Sequence, residues 1–198
     1  MAAAVMREHP FASLITADDA GLPFVTHLPL HLEAGGEGRA PAWRLLGHFA
    51  RANPQWQHLA ARPRAVVTFL GPQAYMSPRV YPDLQRVPTW NYVALHATVQ
   101  ATLVHAEDDK DRLLKCLIAD HEAAYADQWR GLAESYTTAM LSGIVGLELD
   151  IVEWQCKVKI NQHRPEAREA LRAAYERGNE HERALVRWMD RLERGVAE

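Results

Sequence analysis

The chain has 198 residues, enough for one compact domain or for one domain with an appended tail. Hydrophobic residues make up 48% and charged residues 24%, which are ordinary globular proportions, and no apolar run approaches the ~18 residues of a membrane span. The formal net charge of −3 disfavours a broad nucleic-acid surface, since such a surface requires clustered lysine and arginine. We expect a soluble protein with a real core.

The cysteine content and the first residues bear on the compartment. Residues 1–6 are small and apolar, but no long apolar core with a small-residue cleavage site follows them, so no export signal is visible. Cys116 and Cys156 are too few for a disulfide framework and are not spaced as a metal pair. The sequence therefore favours a reducing cytoplasm, with both thiols buried.

The first third of the chain predicts a short helix followed by a β-hairpin. Residues 1–9 read as a helix that stops before Pro10, and residues 11–16 alternate as a strand. The turn chemistry of residues 18–21, with aspartates and a glycine, connects this strand to another over residues 22–32. A glycine-rich connection over residues 33–41 then leads to a strand over residues 42–49.

The middle of the chain continues strand after strand. Residues 53 and 54 open a short helix, and residues 64–70 predict a strand that ends at Gly71-Pro72. Residues 73–88 hold several prolines and suit an ordered loop, after which residues 90–105 predict a long strand.

The last part predicts helices around one more strand. Helical spacing of leucines covers residues 107–124, a second helix is expected over residues 132–141, and alternation returns over residues 143–154. Beyond residue 164 we expect a helical tail interrupted at Gly178-Asn179. Serial strands with hairpin links favour a mainly β, α+β fold with an antiparallel barrel over a doubly wound parallel sheet.

The segment His-Phe-Ala-Arg-Ala-Asn-Pro-Gln-Trp, residues 48–56, lies where a strand passes into a helix. Asn53 is a favoured helix cap and Pro54 a favoured first helical residue, so the N–H groups of the next two residues can form an anion site. Arg51 can add a bidentate contact to a phosphate. The alternative, that Asn53 only caps and Arg51 is a solvated loop residue, stays open at this point.

Two further segments carry polar and aromatic groups. In the strand around Thr26, alternation puts His27 and Pro29 on the face opposite Thr26, and Pro29 indicates an edge strand or a bulge. His27 alone is typical of a partly buried, hydrogen-bonded histidine. Trp90-Asn91-Tyr92 enters a strand after a proline-rich loop, where an amide between two aromatic rings suits a planar heteroaromatic ligand or a dimer interface.

Several chemistries find little support. The ten histidines are not spaced as metal ligands on a helix or on one strand face, so we expect no metal. Hydrolase elbows, dinucleotide fingerprints and phosphate-binding glycine loops are not found in the sequence.

Six short blocks and one histidine occur in one order over about residues 9–166 and together resemble the PaiB-like family, which is named for FMN binding and for negative regulation of transcription. They are residues 10–14, 26–30, 48–56, 71–78, 87–93 with His96, and 144–148. The resemblance implies a Greek-key split barrel of the kind found in pyridoxamine-phosphate oxidase, over residues 1–163. It also implies a homodimer with two FMN sites at the subunit interface.

By the same likeness, Arg51 and Asn53 hold the phosphate and ribityl oxygens of FMN. The flavin is expected to be lined by Thr26, His27, His48 and the turn of Thr89, Trp90, Asn91 and Tyr92, with Pro29 and Lys159 as further cofactor-binding candidates. No catalytic residue is implied.

Two features depart from the family pattern. The tyrosine- and proline-containing lead before the first helix is replaced by residues 1–5, and the family's Lys-Leu-Ser-Gln-Asn-Arg appears as Lys-Ile-Asn-Gln-His-Arg over residues 159–164. Residues 164–198 form a longer tail whose arginines are matched by as many acids, which favours an amphipathic helix docked on the dimer over an arm that reads DNA.

Three functions remain open from the sequence. The first is a flavin-binding regulator or sensor, the second a flavin-dependent oxidoreductase with His27, His48 or Tyr81 as proton donor, and the third haem binding on the same fold through one histidine. DNA is a partner by family association only, because neither a helix-turn-helix signature nor a basic stripe is present.

Overall fold

The computed structural model describes residues 1–35, 42–83 and 85–195. Within these residues the strands are β1 Phe11–Ala17, β2 Pro23–Pro29, β3 His31–Ala34, β4 Trp43–Ala50, β5 Arg64–Met76, β6 Thr89–Val104 and β7 Ile144–Lys159. The α-helices are α1 Ala2–Glu8, α2 Gln55–Ala61, α3 Glu107–His121, α4 Tyr125–Gly131, α5 Glu134–Ser142, α6 Arg168–Glu176 and α7 Glu180–Glu193. The predicted glycine-rich connection lies largely outside the described residues.

The predicted N-terminal hairpin is confirmed. Strands β1 and β2 pair antiparallel, with Phe11 opposite Pro29 and Ala17 opposite Pro23. The connecting turn is closed by the Asp18 side chain, whose Oδ1 accepts from the Leu22 N–H at 2.8 Å. Gly21 adopts a φ of +81°, which explains the glycine at this position of the turn.

The described strands form one seven-stranded antiparallel sheet in the order β2-β1-β5-β6-β7-β4-β3. Strands β2 and β3 stand at opposite ends of this order, yet only Leu30 separates them in the chain. The sheet must therefore curl until its two ends meet, and among the described residues no ladder joins β2 to β3. This is a split barrel, as the sequence predicted, and β2 is the edge strand that Pro29 indicated.

A close approach inside the barrel requires one glycine. A Cβ atom on Gly47 of β4 would lie 2.5 Å from Leu30 Cδ2 and 3.4 Å from the carbonyl oxygen of Pro29. Gly47 thus lets the chain between β2 and β3 lie directly against β4.

The predicted end of the fifth strand at Gly71-Pro72 is wrong, because β5 continues to Met76. Buried positions fall on odd-numbered residues up to Gly71 and on even-numbered residues from Pro72 onward. The glycine and proline therefore mark a one-residue shift in which face is buried, as at a bulge, rather than the end of a strand.

The chain divides into two compact units. Unit 1 comprises residues 1–8, 70–95 and 156–198, and unit 2 comprises residues 9–69 and 96–155. The core of unit 2 is made of inward-facing strand residues such as Leu14, Leu45 and Leu147, all fully buried. The core of unit 1 includes Met6, Leu171 and Trp188.

Helices were predicted well where apolar residues recur at helical spacing over a long enough segment. Helices α3 and α5 match their predicted ranges within a few residues, whereas α4 was not predicted because its seven residues are too short for a clear period. Every described helix falls short of the roughly 20 apolar residues of a membrane span, and α3 with 15 residues is the longest.

The C-terminal tail is helical, and its interruption lies where the sequence placed it. Asn179 caps α7 by accepting from the Glu182 N–H at 3.1 Å, while the Glu182 carboxylate accepts from the Asn179 N–H at 2.7 Å. Within unit 1 the tail is also hydrogen-bonded to α1, because Arg191 donates to both carboxylate oxygens of Glu8. Packing of the tail on a dimer stays a prediction.

Candidate functional site

The predicted segment at residues 48–56 forms the end of β4 and the start of α2, and it lies beside β2 in unit 2. The Asn53 Nδ2 group donates to Thr26 Oγ1 at 2.9 Å, and Asn53 Oδ1 accepts from the Gln55 N–H at 2.9 Å. Trp56 Nε1 donates to the carbonyl oxygen of Arg51 at 3.0 Å. We call this group of residues, together with His48, the strand–helix site.

The anion site predicted at the start of α2 is not formed as expected. The helix begins at Gln55, one residue later than predicted, and has only seven residues. The Gln55 N–H group, expected to be free, is bound by Asn53 Oδ1. Asn53 therefore acts as a cap and as a tether to Thr26, and Arg51 is the positively charged group of the site.

The Arg51 guanidinium is held in place by the backbone. Its Nε donates to the carbonyl oxygen of Ser142 at 2.8 Å, and its Nη2 donates to the carbonyl oxygen of Ile144 at 3.2 Å. These bonds use two of the five guanidinium hydrogens, and the side chain is exposed. Arg51 is thus a pre-oriented cation with hydrogens to spare, rather than a freely solvated loop residue.

His48, in β4 three residues before Arg51, carries an unpartnered polar atom. Its ring atom Nδ1 is buried and has no hydrogen-bond partner in the described part of the chain. Burial lowers the pKa of His48 below its ordinary value, so the ring is neutral at physiological pH. A buried nitrogen without a partner is costly, which marks this position as one where a ligand can bind.

His27 lies on the opposite face of β2 from Thr26, as alternation predicted, but it is exposed rather than partly buried. Its Nδ1 is 2.9 Å from Ser13 Oγ, and its ring stacks on Phe11 at a centroid distance of 6.2 Å. Pro29 follows on the same face. Because β2 is an edge strand, a ligand along its free edge can reach side chains from both faces.

The residues predicted as a flavin-lining turn at 89–92 are in fact the start of β6 in unit 1. The loop before them does not extend to Tyr92, so strand alternation separates Asn91 from the two rings. Asn91 is fully buried, whereas Trp90 is 53% exposed and packs edge-on against Tyr75 at 6.5 Å. The Lys159 ammonium donates to Thr89 Oγ1 at 2.7 Å.

Unit 1 contains a cavity of about 320 Å³, lined by more apolar than polar surface, that we call the unit 1 cavity. Thr89, Asn91 and Lys159 line it, all three being predicted site residues. The sequence did not single out its other lining residues as a group, which are Tyr81, Gln85, Arg86, Val87, Asn161, His163 and Arg164. The departure from the family pattern at residues 159–164 was the one signal that pointed there.

The predicted site residues thus fall into two groups. Thr26, His27, Pro29, His48, Arg51 and Asn53 belong to unit 2, whereas Thr89, Trp90, Asn91, Tyr92 and Lys159 belong to unit 1. Within the described ranges, no group of three or more histidine, cysteine and acidic side chains is arranged to hold a metal ion.

The fold is a split barrel, and the family to which the chain belongs makes it a flavin-binding protein. The sequence model of the family described as "Putative FMN-binding domain" matches residues 1–153, and the chain belongs to this family. It is 31% identical over 164 residues to the "Protease synthase and sporulation protein PAI 2" of Bacillus subtilis, with 81% of this chain and 75% of that protein covered. The PaiB-like resemblance is therefore confirmed.

Two solved structures show the same fold. The flavocytochrome Anf3 from Azotobacter vinelandii has a TM-score of 0.62 and 18% identity, with 81% of this chain and 66% of that chain covered. The FAD and haem binding protein from Mycobacterium smegmatis has a TM-score of 0.59 and 18% identity, with 78% and 68% covered. At such identities the likeness shows the fold.

Family membership makes FMN the cofactor, and the strand–helix site fits it. The pre-oriented Arg51 suits a phosphate, and the neutral His48 offers a buried nitrogen that lacks a partner. Neither group has a competing acidic partner within ion-pair distance in the described residues.

Proposed function

We propose that this protein is a homodimeric flavin-dependent sensor or regulator that holds FMN along the strand–helix site. The observation that carries the proposal is the Arg51 guanidinium, fixed by the carbonyl oxygens of Ser142 and Ile144 with three hydrogens left over. A cation that is already oriented loses little side-chain entropy when it binds a phosphate.

The remaining residues of the site suit the other parts of FMN. Asn53 and Thr26 are linked by a hydrogen bond and can turn their remaining lone pairs and hydrogens to the ribityl hydroxyls. His48, together with the free edge of β2, supplies nitrogen and backbone groups for the polar edge of the flavin ring. Bound flavin supplies one- and two-electron redox chemistry, while the chain binds and orients it.

A homodimer would cover an apolar sheet face of unit 2. Val25 and Val66 both stand opposite Ile15, so the three side chains form one row across β2, β1 and β5. Val25 is 46% and Val66 39% exposed, and Phe11 on the same face is 68% exposed. Contiguous exposed apolar side chains of this kind mark association surfaces.

A regulator or sensor agrees better with the described residues than a dedicated enzyme does. Two of the three candidate proton donors are already engaged, since Tyr81 donates to Asn161 Oδ1 at 3.0 Å and His27 bonds Ser13. Direct reading of DNA by the tail has little support, because Arg172 pairs with Asp190 and Arg191 with Glu8. Regulation would then pass through the flavin state of the dimer.

A reducing, cytoplasmic setting is part of the proposal. Both cysteines are free and partly buried, and burial raises the pKa of each thiol, which makes both unreactive at neutral pH.

The visible spectrum of the purified protein, recorded before and after addition of FMN and of haemin, tests the proposal. Flavin bands with quenched fluorescence support it, whereas a Soret band with no flavin uptake would replace it with haem binding. Rapid reduction of the bound flavin by a nicotinamide donor would favour the oxidoreductase instead. Sedimentation analysis tests the dimer, and a monomer at micromolar concentration would refute that part.

A further inference from the structure

Lys110 is a charged side chain in the interior of unit 2. It lies in the first turn of α3 and shares the buried face of that helix with Leu113 and Leu117, at the spacing of a core position. Only 2% of the residue is exposed, and no carboxylate of the described residues lies within ion-pair distance of it. Burial of an uncompensated ammonium is costly, so an apolar residue would pack here at lower cost unless the charge has a role.

The Lys110 ammonium contacts the C-terminal end of α5. Its Nζ donates to the carbonyl oxygen of Leu141 at 2.5 Å, in the last turn of that helix. Helix C-termini carry carbonyl oxygens without an intrahelical partner and a partial negative charge, so a cation is favoured there. Leu141 is the one buried residue among the nine of α5, all of which the structure describes. Lys110 therefore adds a polar contact where this helix has little packing.

The next three carbonyl oxygens hold Arg51. Its backbone N–H donates to the carbonyl oxygen of Gly143 at 2.8 Å, between the two carbonyl oxygens that bind its guanidinium. All four carbonyl oxygens of residues 141–144, which we call the 141–144 turn, therefore accept from Lys110 or Arg51. Because each peptide group is planar and is joined directly to the next, a shift of the Leu141 carbonyl group moves the acceptors of Arg51 with it.

From these contacts we infer that Lys110 is a positioning residue for Arg51. By fixing the 141–144 turn from the interior, it holds the guanidinium in the orientation in which the remaining hydrogens bind a phosphate. This inference rests on the proposed function, in which that phosphate belongs to FMN. It extends the selection of FMN over riboflavin from the exposed Arg51 to a buried residue of α3 that acts through the backbone.

The test compares FMN with riboflavin in Lys110→Met, by quenching of flavin fluorescence. Methionine keeps most of the apolar stem of lysine but cannot donate to the Leu141 carbonyl oxygen. We expect the affinity for FMN to fall about fivefold, the effect of ordering one more side chain on binding, and the affinity for riboflavin to stay within about twofold. A role of Lys110 in stability alone would leave the ratio of the two affinities unchanged.

Lys115→Met is the matched control on the same helix. Lys115 is exposed and pairs with Asp111, and no described hydrogen bond joins it to the 141–144 turn. Its replacement makes the same change of charge and should leave both flavin affinities within about twofold of the wild type. Melting temperatures verify that each variant is folded.

A double-variant cycle separates action through Arg51 from direct attraction of the phosphate by the charge of Lys110. If Lys110 acts through Arg51, its replacement has no further effect once the guanidinium is gone. We therefore expect Arg51→Ala and the double variant Arg51→Ala/Lys110→Met to bind FMN equally, within about twofold.

A measurement on the wild-type chain covers the case in which Lys110→Met does not fold. In the protein without flavin, the Arg51 Nε–H and the Lys110 ammonium should both give NMR signals that exchange slowly with water, because both groups are hydrogen-bonded to backbone carbonyl oxygens. Rapid exchange of either group would show that the guanidinium is not held before the ligand binds, and it overturns the inference.

The outcomes distinguish this inference from the proposed function. If Arg51→Ala weakens FMN while Lys110→Met does not, or weakens riboflavin equally, or has an additive effect in the cycle, the inference is overturned and the assignment of the phosphate to Arg51 stands. If Arg51→Ala leaves the affinity for FMN unchanged, or the wild-type chain binds no FMN, the proposed site and this inference are contradicted together.

Discussion

Gln55 is the side chain that anchors the strand–helix site, and its removal gives the sharpest test of how the site is built. It is fully buried, and its Nε2 group lies 2.9 Å from the carbonyl oxygen of Leu14, 3.1 Å from Thr16 Oγ1 and 3.0 Å from the carbonyl oxygen of Phe24. One amide thus fastens the start of α2 to both β1 and β2.

The expected effect of Gln55→Leu follows from these contacts. The Nε2 group has two hydrogens for these three acceptors, so about two bonds at about 1 kcal/mol each are lost. The buried carbonyl oxygens left without a donor add to this loss, whereas removal of the unpartnered Gln55 Oε1 returns part of it. We expect a net loss of about 2 kcal/mol in the free energy of unfolding. For a chain of this size, this corresponds to a melting temperature lower by roughly 4–8 °C.

The assay is thermal unfolding followed by circular dichroism, with FMN affinity as a second readout. Gln57→Leu is the control, because Gln57 is exposed on the same helix and its replacement should change stability by less than about 0.5 kcal/mol. Asn53 bonds the Gln55 N–H, so Gln55→Leu should also weaken FMN several-fold. Equal melting temperatures for the two variants would refute the anchoring role.

Three further predictions concern pH and helix capping. Burial lowers the pKa of His48 from its ordinary value of 6.5, so below pH 6.5 the unfolded chain binds a proton that the folded chain does not. Urea unfolding should therefore show that the free energy of unfolding falls as the pH falls below 6.5. The fall should be smaller in His48→Asn. Burial raises the pKa of Tyr175 to about 12, so stability should fall as the pH rises from 10 to about 12, and the same titration of Tyr175→Phe should be flatter. Asn179→Ala removes a capping box and should lower the free energy of unfolding by about 1 kcal/mol, which lowers the melting temperature by roughly 2–4 °C. Asn179→Asp keeps the cap and should have the melting temperature of the wild type. A pH-independent stability in either of the first two cases, or equal melting of the two Asn179 variants, would contradict the corresponding prediction.

Most of the fold could be predicted from local patterns. Alternation and turn chemistry located the hairpin of β1 and β2, and Pro29 correctly indicated an edge strand. The wrong prediction concerns a residue pair that is compatible with two local structures. Gly71-Pro72 reads as a strand end in isolation, but the neighbouring strands keep the chain extended there and the pair only shifts which face is buried.

The sequence could predict residues of the candidate site but not the contacts that hold them in place. Arg51 and Asn53 were identified from the helix-start pattern, yet the sequence cannot show that Ser142 and Ile144, about ninety residues away, hold the guanidinium. The unit 1 cavity was missed as a unit because its lining comes from two segments, residues 81–91 and 159–164, that only the tertiary structure brings together.

The affinity for FMN compared with riboflavin, measured by flavin fluorescence quenching in wild type and in Arg51→Ala, tests the proposed flavin site most directly. Riboflavin lacks the phosphate, so Arg51→Ala should weaken FMN by about 2 kcal/mol, roughly 30-fold, and leave riboflavin unchanged. Arg187→Ala, which removes an exposed arginine of α7, should bind FMN like the wild type. Unchanged FMN affinity in Arg51→Ala would contradict the assignment of the phosphate to Arg51, and a wild-type chain that does not quench FMN would contradict flavin binding itself.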